Sequence, residues 1–170
     1  MIKKSVVACL IIILCYVFQT TIFWHLRLAN VVPNLMLIYV VSTGYLNGRR
    51  EAVLVAMGCG LLSDMIYGSV IGLHSLIYII IGFIAGYGHN IYLKNNFSLP
   101  LLLIGICDIV YGFLYYVFEF LFRGKLDIMF YFGKVILPET IYTMLVAIIL
   151  FKLFSVINRF THPGSNKEEY

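Results

Sequence analysis

Residues 48–86 read GRREAVLVAMGCGLLSDMIYGSVIGLHSLIYIIIGFIAG, two apolar runs joined by a short uncharged turn. The first run extends from Ala52 to Tyr67, and the second begins at Leu73 and continues to Leu93. Crossing the hydrocarbon core takes about 20 helical residues, because each residue rises about 1.5 Å and the core is about 30 Å thick. The turn between the runs, Tyr67 to Gly72, suits a tight hairpin. The stretch therefore predicts two antiparallel membrane helices, the first of them short.

The rest of the chain has the same apolar character. Of its 170 residues, 62% are hydrophobic and 12% are charged, whereas a soluble domain is about half apolar. A water-soluble chain of this size could not bury so much apolar side chain. We predict an all-α polytopic integral membrane protein with a single transmembrane domain at 1–160 and a flexible tail at 161–170. Its six predicted spans lie at about 5–23, 31–46, 52–67, 73–93, 97–122 and 138–157.

The basic residues predict the orientation of the chain in the membrane. Lys and Arg are retained on the cytoplasmic side of a membrane, and an N-terminus on that side leaves eight of them inside and four outside. We therefore expect both termini in the cytoplasm. The outer four are Arg27, Arg123, Lys125 and Lys134. Because the basic residues are spread along the chain in ones and twos, they do not form the basic patch that is typical of nucleic-acid-binding proteins.

Acidic residues inside the predicted spans are the first functional candidates, since ionisable groups in a membrane are rare. Asp108 and Glu119 are eleven residues apart, close to three helical turns, and so share one face of the fifth helix. That face could carry a proton or cation, but hydrogen bonding between helices is the favoured interpretation. Glu139 directly follows Pro138, where a carboxylate would stabilise the first turn of a helix.

Glycines are the second set of candidates. Gly82 and Gly86 form a GxxxG pair on the fourth helix, and Gly58 and Gly60 lie on the third. Small residues let helices approach closely, so this pattern indicates packing within the protein or, less often, a surface for another subunit. The four cysteines, Cys9, Cys15, Cys59 and Cys107, lie in apolar runs and predict free, buried thiols. The scattered histidines predict no metal site, and without a catalytic motif we predict no enzyme and no cofactor.

Three blocks of the chain resemble the rod shape-determining protein MreD family: FQTT at 18–21, PNL at 33–35, and the glycine-rich stretch 48–86 with its single Asp64. Family membership would imply a non-enzymatic subunit of the cell-wall elongation machinery in the bacterial cytoplasmic membrane. Such a subunit binds the bitopic protein MreC and helps connect MreB filaments to RodA and its penicillin-binding transpeptidase. The residues we predict to contact a partner are Pro33, Asn34, Gly58, Gly60, Asp64, Gly68, Gly72, Gly82 and Gly86.

The same family is similar in fold to the substrate-binding membrane subunits of energy-coupling-factor vitamin transporters, and this similarity implies an alternative function. A transporter subunit would enclose a polar cavity in which Asp108 and Glu119 contact a small ligand. The scaffold function is favoured, since the spans hold few polar residues for a vitamin pocket.

Overall fold

The computed structural model describes residues 2–27, 31–67, 72–91, 98–118 and 128–161. These residues form helices and no β-strand. Six of the helices have 13 or more residues: α1 (Ile2–His25), α2 (Leu35–Asn47), α3 (Arg49–Tyr67), α4 (Leu73–Ala85), α5 (Ser98–Tyr116) and α7 (Leu137–Thr161). A short helix, α6 (Ile128–Tyr131), precedes α7. The predicted all-α membrane protein is confirmed.

Three of the described helical segments are long and apolar enough to cross a membrane: Ser5–His25, Ser98–Tyr116 and Met129–Asn158. Two shorter apolar helices, Leu35–Asn47 and Leu73–His89, fall below the usual spanning length. The number of spans therefore stays a prediction.

The centre of the bundle is α2. Its residues from Leu35 to Tyr45 are all buried, as expected of a helix that is hydrophobic on every side. It contacts α1, α3, α4, α5 and α7. The outer surface is apolar as well: the exposed fraction is 71% for Leu54, 83% for Met65 and 73% for Ile149. A surface of this kind is suited to lipid.

The start of the last long helix differs from the prediction. We expected a helix beginning at Pro138, but helical structure starts at Ile128 and passes through a π-helical segment, Phe132–Ile136, into α7. Proline lacks the N–H for a regular helical hydrogen bond, and its ring clashes with the carbonyl one turn earlier. The π segment lies where this interruption falls. Glu139 lies in the first turn of α7, as predicted, but that turn continues from the π segment and is not a free helix start.

The remaining boundaries differ by smaller amounts. α4 ends at Ala85 and is followed by a 3₁₀ segment, Gly86–Ile91, rather than continuing as one helix to residue 93.

Cys15, Cys59 and Cys107 are buried free thiols, as predicted, whereas Cys9 is exposed. Gly68, Glu119 and the tail 162–170 lie outside the described residues.

Candidate functional site

The N-terminus of α2 is a junction of four helices. The Asn34 side chain accepts a hydrogen bond from the Leu37 N–H over 3.0 Å, which caps the helix. The same oxygen accepts a second bond, over 2.9 Å, from the Tyr78 hydroxyl of α4. Gln19 of α1 accepts from the Leu35 N–H over 3.1 Å, and the Thr143 hydroxyl of α7 accepts from the Asn34 N–H over 3.2 Å. α1, α4 and α7 are thereby joined to the central helix.

Asp64 near the end of α3 caps the start of α4. Its Oδ1 atom accepts from the His74 N–H over 2.9 Å, and Oδ2 accepts from the Ser75 N–H over 3.0 Å. The Ser75 hydroxyl donates to Oδ2 over 2.6 Å, and His74 Nδ1 lies 3.1 Å from Oδ1. Free N–H groups at a helix start need acceptors, and buried ones especially so. Asp64 is itself buried, so this carboxylate stabilises the protein interior.

Glycines allow α3 and α4 to pack at very short distance. A Cβ atom added to Gly60 would lie 2.3 Å from Ser75 Cα, and one added to Gly86 would lie 2.5 Å from Arg49 Cα. Gly82 lies against the backbone of Ala52 between these two points. These contacts match the packing interpretation of the glycine pattern. Gly58 instead lies against Ile12 of α1.

A cavity of about 360 Å³ lies at the end of the bundle where α1 ends and α2 begins. Five tyrosines and Glu139 contribute to its wall, together with Trp24 from the end of α1. The tyrosines are Tyr16, Tyr78, Tyr111, Tyr115 and Tyr131. Because Trp24 is half exposed, the cavity reaches the protein surface at this end.

Two carboxylates meet beside this cavity. Asp108 of α5 is buried, and neither of its oxygens has a hydrogen-bond partner among the described residues. The hydroxyls of Thr140 and Thr143 lie next to it. Thr140 donates to the Ile136 carbonyl, whereas Thr143 accepts from the Asn34 N–H and keeps its own hydroxyl proton available on the side of Asp108. Glu139 is the acidic neighbour of Asp108.

Most of the predicted partner-contact residues are placed inside the protein. Asn34, Asp64, Gly60, Gly82 and Gly86 are buried. Pro33 is buried too, Gly58 is partly exposed, and Gly72 begins α4 with a positive φ of 101°. Their role in partner binding stays a prediction.

Several residues of the site were not predicted from the sequence. Gln19, Tyr78, Thr143 and the pair His74 and Ser75 complete the two capping arrangements. A glutamine near the end of an apolar run is a usable signal, because a buried amide needs a partner. The sequence placed Asp108 on one helix face with Glu119, but it did not predict that Glu139 of α7 would be an acidic neighbour of Asp108.

The helices and the site together define an all-α membrane protein whose described polar groups chiefly hold its own helices together. Within the described ranges, no group of three His, Cys, Asp or Glu residues could hold a metal ion. The chain matches the family described as rod shape-determining protein MreD over residues 2–160, nearly its whole length, and it belongs to that family. No curated protein and no solved structure shows a significant match.

Proposed function

We propose that the chain is a non-enzymatic membrane subunit of the bacterial cell-wall elongation machinery. In this role it binds an MreC-type bitopic protein within the cytoplasmic membrane and helps connect MreB filaments to RodA and its penicillin-binding transpeptidase. The family match over residues 2–160 carries the proposal, since the family determines rod shape and is not a known enzyme family. Both chain termini lie in the cytoplasm in this arrangement.

The proposed binding surface is an apolar stripe on α3, formed by Leu54, Met57, Leu61 and Met65. These residues follow one another at intervals of three or four, so they share one face of the helix. All four are exposed, Leu54 and Met65 most strongly. Behind the stripe, Asp64 and the glycines hold α3 firmly against α4. A single membrane helix of the partner would meet a rigid surface, which lowers the entropy cost of binding.

Photocrosslinking tests this surface directly. A photoreactive amino acid is placed at Met57 or Met65, and the chain is co-expressed with a tagged MreC-type protein. Leu145 and Ile149 are matched controls, because their exposed fractions of 57% and 73% fall between those of Met57 and Met65 and they lie on α7. Buried Ile38 is the interior control. We expect crosslinks from the two α3 positions and from none of the controls.

The pattern of crosslinks distinguishes an error in the proposed binding surface from an error in the proposed function. Crosslinks from Leu145 or Ile149 alone would move the binding surface to α7. If none of the four exposed positions gives a crosslink while both proteins are present in the membrane, binding of the partner within the membrane is contradicted.

The cavity supports a second candidate function, a substrate-binding subunit of an energy-coupling-factor-type vitamin transporter. Its volume of about 360 Å³ falls at the lower end of the range for ligand pockets, about 300–1,000 Å³. Such a subunit would co-purify with an ATPase and carry a vitamin in stoichiometric amount. Mass spectrometry of the protein purified from several growth media distinguishes the two candidates, since a scaffold carries no vitamin.

A further inference from the structure

The cavity beside Glu139 has an unusual combination of lining groups. Tyrosine rings come from α1, α4, α5 and α6, and the Glu139 carboxylate comes from α7. Several rings contact one another: Tyr78 and Tyr111 have centroids 5.2 Å apart, and Tyr111 and Tyr115 are stacked at 6.3 Å. The wall is therefore an assembly of aromatic rings with an acid at one side.

The carboxyl group at this wall has no basic partner among the described residues. Glu139 makes no hydrogen bond or ion pair with any of them, and Asp108 beside it has both oxygens unpartnered. His74 also lines the cavity, but its ring faces the Asp64 carboxylate. Arg27 is near the mouth, where its guanidinium lies 4.0 Å from the Trp24 ring centre and is exposed. An ionised carboxylate away from bulk water is costly unless it is paired, and none of the described residues that line the cavity is a Lys or an Arg.

The lining favours an organic cation over a metal ion. Metal sites need several ligating groups close together, and no such group of three occurs in the part of the chain that the structure describes. Aromatic rings and a carboxylate are the surroundings that ammonium groups prefer. The volume of about 360 Å³ accommodates an ammonium group with a short substituent.

We propose that this cavity binds a ligand bearing an alkylammonium group, whose charge lies at Glu139, with Asp108 behind it, and whose carbon substituents lie against the tyrosine rings. Such a group occurs on free amines and on the headgroups of ethanolamine lipids. The inference rests on the cavity alone and is independent of partner binding.

Trp24 provides the measurement, because it is the single tryptophan of the chain and lines the cavity. The full-length protein is placed in nanodiscs of phosphatidylglycerol and titrated with ethanolamine, a free amine. Ethylene glycol is the matched neutral probe of similar size. We expect a saturable change in Trp24 fluorescence with ethanolamine and none with ethylene glycol. In a parallel arm, nanodiscs containing phosphatidylethanolamine are analysed by native mass spectrometry for a retained lipid.

Substitutions then locate the binding group. Glu139→Gln and Asp108→Asn should each weaken binding at least tenfold, whereas Glu51→Gln, at the other end of the bundle, should leave it unchanged. Circular dichroism confirms that the variants fold. Equal responses to ethanolamine and ethylene glycol, unchanged binding in Glu139→Gln, or no binding from either source would each overturn the proposal. The comparison of the two probes on the unmodified chain decides the question even if a variant does not fold.

Discussion

The Ser75 hydroxyl on α4 donates a 2.6 Å hydrogen bond to Asp64 Oδ2 on α3, and the Ser75 N–H donates to the same oxygen over 3.0 Å. One buried carboxylate thus satisfies both a side chain and the start of the next helix. The pair joins the two helices whose glycines allow their close packing.

Removing the Asp64 carboxylate should destabilise the protein without changing its surface. Asp64→Ala leaves two buried N–H groups of α4 without acceptors, and we expect a loss of about 3 kcal/mol in the free energy of unfolding. Asp64→Asn keeps one acceptor oxygen and should lose about half as much. The measurement is reversible unfolding in mixed detergent micelles. Equal stability of Asp64→Ala and the unmodified chain would show that the capping bonds contribute nothing.

A methyl group at Gly60 should force α3 and α4 apart. The added Cβ would lie 2.3 Å from Ser75 Cα, which is backbone and cannot rotate away. We expect Gly60→Ala to cost about 1–3 kcal/mol or more. Gly133→Ala is the matched control, since its Cβ would meet nothing within 4 Å. Thermal unfolding of the two variants side by side provides the test, and similar melting temperatures would contradict the close approach.

The Asn34 and Tyr78 side chains should be energetically coupled. Tyr78→Phe removes the hydroxyl that donates to Asn34 Oδ1 and should cost about 1 kcal/mol. Asn34→Ala also removes the helix cap and should cost about 2 kcal/mol. In a double-mutant cycle we expect a coupling of about 1 kcal/mol.

Tyr142→Phe is the control for this cycle, because its hydroxyl donates to the Leu26 carbonyl at an exposed position. It should cost less than about 0.5 kcal/mol. Additive effects of Asn34→Ala and Tyr78→Phe would rule out the coupling.

Reporter fusions test the proposed orientation. The arrangement with six spans and cytoplasmic termini predicts that alkaline phosphatase is active when fused after Arg27 and inactive when fused after Gly48 or Tyr170. The reason is that basic residues are retained on the cytoplasmic side. Green fluorescent protein fused at the same three positions should show the opposite pattern. Activity of the phosphatase at Tyr170 would contradict a six-span arrangement.

The sequence by itself determined the class of the protein and the existence of its long helices. Hydropathy is a property of each segment alone, so apolar runs such as 5–23 and 31–46 predict helices without knowledge of their neighbours. The spacing of Gly82 and Gly86 likewise indicated close helix packing, because small residues on one helix face are visible in the order of residues. Glycine contacts between α3 and α4 match that expectation.

Only the tertiary structure decided which polar groups meet. Asp108 lies beside Glu139 of α7, a pairing that no spacing along α5 could indicate. Gln19, Tyr78 and Thr143 converge on the start of α2 although they come from three different helices. The physical reason is that contacts between helices depend on rotation and depth in the bundle, which the packing of all the side chains sets together. The π segment before Pro138, and the position of Glu139 at the cavity, likewise became visible only in the structure.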